Sequence, residues 1–216
     1  MKFENSYSGN FEGAFRGMRL PMNSFAKADS YIDESGKFIL GPNDLDLAQR
    51  LIKGGSPHDK FLRQIFVSVD ITAPFYLWKE LDQYKVGTVT DSESTMHRLA
   101  SKPITKQCFE LDDYKNIQVY EREPYNPDTF MDDIWEQLIE VCETLRLWYV
   151  QTKDERYWKE LIRILPEGWL QQRQWTANYS VVRSIVKQRD GHRLTEWKAF
   201  IDWAHTLPYS SELLFV

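Results

Sequence analysis

Cysteine is scarce. Cys108 and Cys142 are the only two in 216 residues, too few for a disulfide framework or a thiolate metal site. They suit reduced thiols in a cytoplasmic compartment. The four histidines, His58, His97, His192 and His205, are scattered and form no metal-ligand motif. No run of about 18 apolar residues occurs, so no membrane-spanning helix is expected. The opening MKFENSYSGNFEGAF lacks the basic stretch and apolar stretch of a signal peptide. Positive charge is not in excess. A net charge of −5 argues against general nucleic-acid binding, which needs a basic footprint. No glycine-rich phosphate loop and no nucleophile elbow is visible, so no residue is assigned a catalytic role.

Aromatic residues are plentiful, at 14% with eight tryptophans. Rings in that number need a core, an interface or a stacking surface to cover them. The chain is long enough to bury most of its surface in one core or two small ones, and it reads as a single domain over residues 1–216.

Residues 20–43 are rich in Pro, Asn, Ser, Asp and Gly and are predicted to be a loop. Asn43 is the expected cap of a short helix that ends at Gly54. RQIFVSVDIT (63–72) alternates as a strand does, and Pro74 is expected to open the next helix. Gly87 starts a polar loop, after which STMHRL (94–99) begins a helix. The segment 100–127 is a charged connection. Residues 128–151 form the clearest helix, with Phe130, Ile134, Leu138, Val141 and Leu145 at three- and four-residue spacing. A second amphipathic helix covers 154–165 and is stopped by Pro166. QQRQWTAN (171–178) reads as a strand, with Asn178 capping the helix that follows, and 193–207 is a last helix capped by Thr195. Long helices beside strands that do not alternate with them place the chain in the α+β class.

Two segments carry more than fold. In the first, Ala73-Pro74 is followed by Gln83-Tyr84-Lys85 and then, after eight residues, by Ser94 and Met96. In the second, Arg163 precedes Leu165-Pro166, then come Asn178, Ser180, Arg189, His192 and Trp197. Upstream stands Gly55-Ser56-Pro57-His58-Asp59-Lys60-Phe61. In order and spacing this resembles the flavin-dependent thymidylate synthases. That family has Arg-His-Arg where Gln83-Tyr84-Lys85 stand and an arginine where Met96 stands. It has a flavin-contacting arginine at the place of Ser180, and a flavin-contacting histidine at that of Lys60.

The resemblance implies an α+β fold with a central antiparallel sheet flanked by helices, a homotetramer, and binding of FAD and a pyrimidine nucleotide. It implies reductive methylation of dUMP, with NADPH and methylene-tetrahydrofolate as co-substrates, or a diverged variant of that reaction. Lys60, Tyr84, Lys85 and Asn178 would face the cofactor. Glu80, Gln83, Ser94, Arg163 and Arg189 would face the nucleotide, with Arg98 nearby and Tyr84 or Trp78 as aromatic walls. The cations gathered there would repel one another until an anion binds. The compact size and altered motif suit a phage or prophage protein. Gln83 and Met96 remove charge-assisted bonds worth about 1.5–3 kcal/mol each, which opens two other readings. One is a nucleotide- or FAD-binding homologue without catalysis. The other is a structural or partner-binding oligomer.

Overall fold

A computed structural model of the chain describes residues 1–111, 117–119 and 130–216. In chain order the elements are β1 (Lys2–Gly9), α1 (Phe11–Arg19), β2 (Tyr31–Ile32), β3 (Phe38–Ile39), α2 (Pro42–Gly54), β4 (Phe66–Pro74) and α3 (Phe75–Leu81). They continue with β5 (Val89–Ser92), α4 (Thr95–Ser101), α5 (Met131–Thr152), α6 (Glu155–Ile164), β6 (Leu170–Asn178), α7 (Tyr179–Arg189), α8 (Glu196–His205) and α9 (Ser210–Leu213). The four-stranded sheet has the order β1-β4-β6-β5, and β2 pairs with β3 in a separate hairpin. The chain divides into two compact units. The first is Met1–Thr72, Glu80–Asp91 and Arg173–Val216; the second is Ala73–Lys79 and Ser92–Gln172.

In the first unit β1 and β4 are antiparallel, with Lys2 opposite Thr72 and Tyr7 opposite Ser68. The register shifts between Glu4 and Tyr7, where Asn5 takes a φ of 51°. An extra residue there kinks the edge strand. Along β4, Val67, Val69 and Ile71 are buried, as strand alternation requires. A ring cluster fills the core. Phe3 stacks on Trp203 at 4.9 Å, and Phe200 meets Trp175, Trp197 and Trp203 edge-on. Most of the tryptophans are core: Trp78, Trp169, Trp175, Trp197 and Trp203 are all buried. Tyr179, also buried, donates to the Pro208 carbonyl at 2.7 Å, and burial pushes its phenol above the usual range.

The stretch 20–43 is more ordered than its composition predicts. Arg19 and Asp44, both buried, pair at 2.5 Å. Arg19 also donates to the Lys27 carbonyl, while Asp44 accepts from the Ser30 and Asp29 main-chain N–H groups. Burial raises the Asp44 carboxyl, but its bonds to Ser30 and Arg19 outweigh that and hold it below the ordinary value. Asn43 is not the cap of α2. Gly41 holds that position, and Pro42 opens the helix, where a missing N–H is harmless. Pro74 ends β4 rather than starting α3, and β5 forms inside the predicted polar loop.

In the second unit Leu99, Ile104, Phe109, Ile139, Cys142, Leu161 and Trp169 form one core cluster, with α5 packed on α6. The buried face of α5 is shifted by about one residue from the predicted one, with the predicted Leu138 and Leu145 still packed against the cluster. Ile139, Cys142 and Arg146 are buried and Val141 is 49% exposed. Arg146 is admitted because Glu143 takes it in a two-point bond of 2.7 and 2.6 Å, while the same carboxylate accepts from the Ile104 N–H. Burial pushes the Cys142 thiol up to about 11. Asp154 caps α6, and its hydrogen bonds from Arg156 lower its carboxyl to about 2. Phe130 and the residues after it are described; the predicted start of that helix at 128, and residues 112–116 and 120–127 of the predicted connection, lie outside the described residues.

Candidate nucleotide and flavin site

The site is built on α7 in the first unit. Asn178 takes an extended φ of −129°, and its Oδ1 accepts the Val181 N–H at 3.1 Å. This satisfies one of the donors that a helix start leaves open. The other Asn178 side-chain atom, Nδ2, faces Gly87. A β-carbon on Gly87 would lie 2.7 Å from Nδ2, and Gly87 has a φ of 81°. Only glycine allows that turn and that approach. The segment Gln83–Gly87 is thereby laid against the start of α7, and a cleft of about 440 Å³ opens between them. Gln83, Tyr84, Lys85 and Gly87 line one side, Asn178, Ser180 and Ser184 the other, and Arg63 reaches in from the 3-10 segment His58–Gln64.

The far end of α7 is tied to this cleft through Tyr84. Arg189 Nε donates to Tyr84 Oη at 3.0 Å, and Tyr84 Oη donates to Gln188 Oε1 at 3.1 Å. Arg189 Nη1 lies 3.0 Å from Glu80 Oε2, which also accepts from Trp197 Nε1 at 3.0 Å. The guanidinium sits over the Trp197 ring, 4.5 Å from its centroid, a cation–π contact. His192 completes the group. Its Nδ1 accepts from the Leu194 N–H at 3.1 Å. Its Nε2 lies 3.1 Å from Arg189 Nη1 and 3.9 Å from Glu80 Oε2, and a neutral imidazole can accept at only one of its two nitrogens, so the Leu194 and Arg189 contacts compete for the ring's single acceptor. Arg189 is thus not a bare cation awaiting an anion. Glu80 neutralises it, which corrects the expected repulsion among unpaired cations.

The structure brings Glu80, Gln83, Tyr84, Lys85, Asn178 and Arg189 together in one connected group. Lys60 is exposed and is not among the residues lining this cleft; Arg63 is, from the same segment. Trp78 is buried, with Nε1 donating to the Gln171 carbonyl at 3.0 Å, so it serves the core rather than a cleft wall. Ser94 and Arg163 belong to the second unit. Ser94 caps α4 by accepting the His97 N–H, and Arg163 is exposed and paired with Glu160. Arg98 pairs with Glu93 in the same unit, and Met96 is exposed. Sequence reasoning passed over Arg63, Ser184 and Gly87. The i, i+4 spacing of Ser180 and Ser184 on one helix face was the available signal.

Among the described residues no helix is long and apolar enough to cross a membrane, and no group of three His, Cys, Asp or Glu is placed to hold a metal.

The sequence matches no protein-family model and no curated protein. Solved structures do resemble it. A flavin-dependent thymidylate synthase, ThyX, from Helicobacter pylori, complexed with FAD and dUMP, superposes with a TM-score of 0.67 at 16% identity. That match covers 100% of this chain and 98% of the other. The UMP/dUMP methylase PolB from Streptomyces cacaoi, bound with 5-Br dUMP, superposes with a TM-score of 0.58 at 13% identity, over 99% of this chain and 93% of the other. Over its whole length this chain therefore has the fold of the flavin-dependent thymidylate synthases, an antiparallel sheet flanked by helices.

Proposed function

We propose that the protein binds FAD and a pyrimidine deoxynucleotide and methylates dUMP or a close relative of it. The observation that carries this reading is the meeting of Gln83–Gly87 with Asn178 in one cleft, coupled through Tyr84 to Arg189. These segments lie about a hundred residues apart, and helix or strand periodicity gives them no reason to meet. The cleft volume lies in the range usual for small-molecule sites.

The residues present suit a flavin nucleotide. Tyr84 offers an aromatic face, Asn178 Nδ2 a donor at the helix start, and Lys85 an exposed cation. Lys60 stands nearby in sequence to the cleft-lining Arg63. When bound, the flavin would pass electrons from NADPH, and methylene-tetrahydrofolate would supply the carbon. The protein's own part is positioning. Glu80 and Trp197 hold the Arg189 guanidinium in place, and a phosphate reaching it would meet the Glu80 carboxylate beside it. Gln83 offers an amide where a base edge needs both a donor and an acceptor. Ser94 and Arg163 are proposed as further nucleotide-binding residues. The active form in this reading is a homotetramer working in the cytoplasm.

A second reading is favoured by one observation. Arg189 already has an anionic partner in Glu80, and Gln83 and Met96 carry no charge, so the affinity for a phosphate monoester is reduced. The protein would then bind its cofactor and nucleotide without methyl transfer. NADPH oxidation measured with FAD-loaded protein separates the two. Oxidation that needs both dUMP and methylene-tetrahydrofolate supports catalysis. Flavin-bound protein with no such dependence supports the binding reading.

A further inference from the structure

A cavity of about 670 Å³ lies within the first unit and shares no lining residue with the cleft. Its lining is largely aromatic. Phe11 of α1 stacks on Phe38 of β3 at 5.7 Å, and Tyr209 meets both rings edge-on, at 5.7 and 6.0 Å. Tyr7 adds a fourth ring, 61% exposed. Tyr209 is fixed at both ends. Its Oη donates to the Phe38 carbonyl at 2.6 Å and accepts from the Leu40 N–H at 3.3 Å, while its main chain takes a φ of 55°. A left-handed main chain is an outlier for a bulky residue and persists only where its surroundings hold it. Asn10, in the same wall, is also left-handed, with a φ of 64°. Glu12 and Lys37 are the only charged residues in the wall, and both are exposed. They come from different elements, α1 and the turn between β2 and β3. Neither has an ion-pair partner among the described residues. Lys37 acts on Asp33 at longer range, but the Asp33 carboxylate is taken up by Ser35 and by the Lys37 N–H.

We propose that this cavity binds a small aromatic zwitterion, of the class of the aromatic α-amino acids. Rings held in place before the ligand arrives lower the cost of binding. Phe11, Phe38 and Tyr209 would take the ligand's ring by offset and edge-on contact, the arrangements that aromatic quadrupoles favour. Glu12 would take an ammonium and Lys37 a carboxylate, both as charge-assisted hydrogen bonds. The pair of opposite charges selects among ligand classes. A simple anion would meet the Glu12 carboxylate, and a simple cation the Lys37 ammonium. A wholly apolar ligand would desolvate both ions and satisfy neither. A molecule that carries a ring, an ammonium and a carboxylate satisfies all three features at once. The cavity volume is in the range usual for small-molecule sites. The proposal rests on this cavity alone and is independent of the flavin reading above.

The test is calorimetric titration at neutral pH with L-phenylalanine, phenethylamine, 3-phenylpropionate and L-leucine, on the wild type and on Glu12→Gln and Lys37→Gln. Both positions are exposed, so folding should survive. The wild type should bind L-phenylalanine. Phenethylamine lacks the carboxylate and 3-phenylpropionate lacks the ammonium, so each should bind about tenfold or more weakly, the loss of one charge-assisted bond. L-Leucine, a zwitterion without a ring, should also bind more weakly. The variants should divide the ligands. Glu12→Gln should weaken L-phenylalanine and phenethylamine and spare 3-phenylpropionate. Lys37→Gln should weaken L-phenylalanine and 3-phenylpropionate and spare phenethylamine. No binding of L-phenylalanine to the wild type at millimolar concentration overturns the site. So does L-leucine binding as tightly as L-phenylalanine, or a variant that binds all four ligands as the wild type does.

Discussion

Asn178 carries two roles on two atoms, and they can be separated by substitution. Oδ1 caps α7 through the Val181 N–H at 3.1 Å, while Nδ2 faces Gly87 and the cleft. Asn178→Ala removes both. Losing an N-cap acceptor costs about 1 kcal/mol, which in a protein of this size is a fall of about 2–4 °C in Tm. Asn178→Asp keeps the acceptor and adds a negative charge that the helix dipole favours, so its Tm should hold. It loses the Nδ2 donor, however, and brings negative charge to a cleft proposed to hold a phosphate-bearing flavin. Differential scanning fluorimetry without ligand, followed by flavin content after loading with FAD and desalting, gives both readouts. The alanine variant should lose stability and flavin, the aspartate variant flavin alone. If Asn178→Asp retains as much flavin as the wild type, Asn178 is a cap and nothing more.

Other expectations follow from the same contacts. Glu80→Gln removes the charge that holds Arg189 and weakens the bond to Trp197, so the urea midpoint should fall by about 1–2 kcal/mol equivalent; an unchanged midpoint would show that the pair contributes nothing. Cys142, buried and raised to about 11, should be alkylated by iodoacetamide at mildly alkaline pH far more slowly than the part-exposed Cys108; equal rates by mass spectrometry refute this. Because the folded value exceeds the ordinary 9.0, the contribution of Cys142 to stability is present below that value and is lost as pH rises towards about 11. Asp154 runs the other way. Lowered from 3.8 to about 2, its cap on α6 is present above pH 3.8 and lost as pH falls through about 2, and an NMR titration midpoint near the ordinary value would contradict the Arg156 contact.

How far the sequence could be read depended on whether the determinant was local. Caps were legible in part: Asn178 and Ser94 accept from the helix starts they precede, whereas Asn43 and Thr195 satisfy the same local rule and make no such bond. Patterns set by tertiary partners were not. Val141 satisfies the α5 periodicity as well as Cys142 does, and only the position of the Leu161 cluster decides which is buried. The ordering of 20–43 depends on Arg19 reaching Asp44, 25 residues away, which composition cannot reveal. In the candidate site, Gln83-Tyr84-Lys85 and Asn178 were found by their resemblance to the motifs of the flavin-dependent thymidylate synthases. The pairing of Glu80 with Arg189, and the presence of Arg63 in the cleft, are three-dimensional facts with no signature in either local stretch.

The central claim is that the cleft between Gln83–Gly87 and Asn178 holds a flavin. The most direct measurement is the visible absorption spectrum of the purified protein after incubation with FAD and removal of free ligand on a desalting column. A flavin spectrum that travels with the protein, at a stoichiometry near one per chain and reduced in Asn178→Asp, is the predicted result. A colourless protein after the same treatment would contradict it.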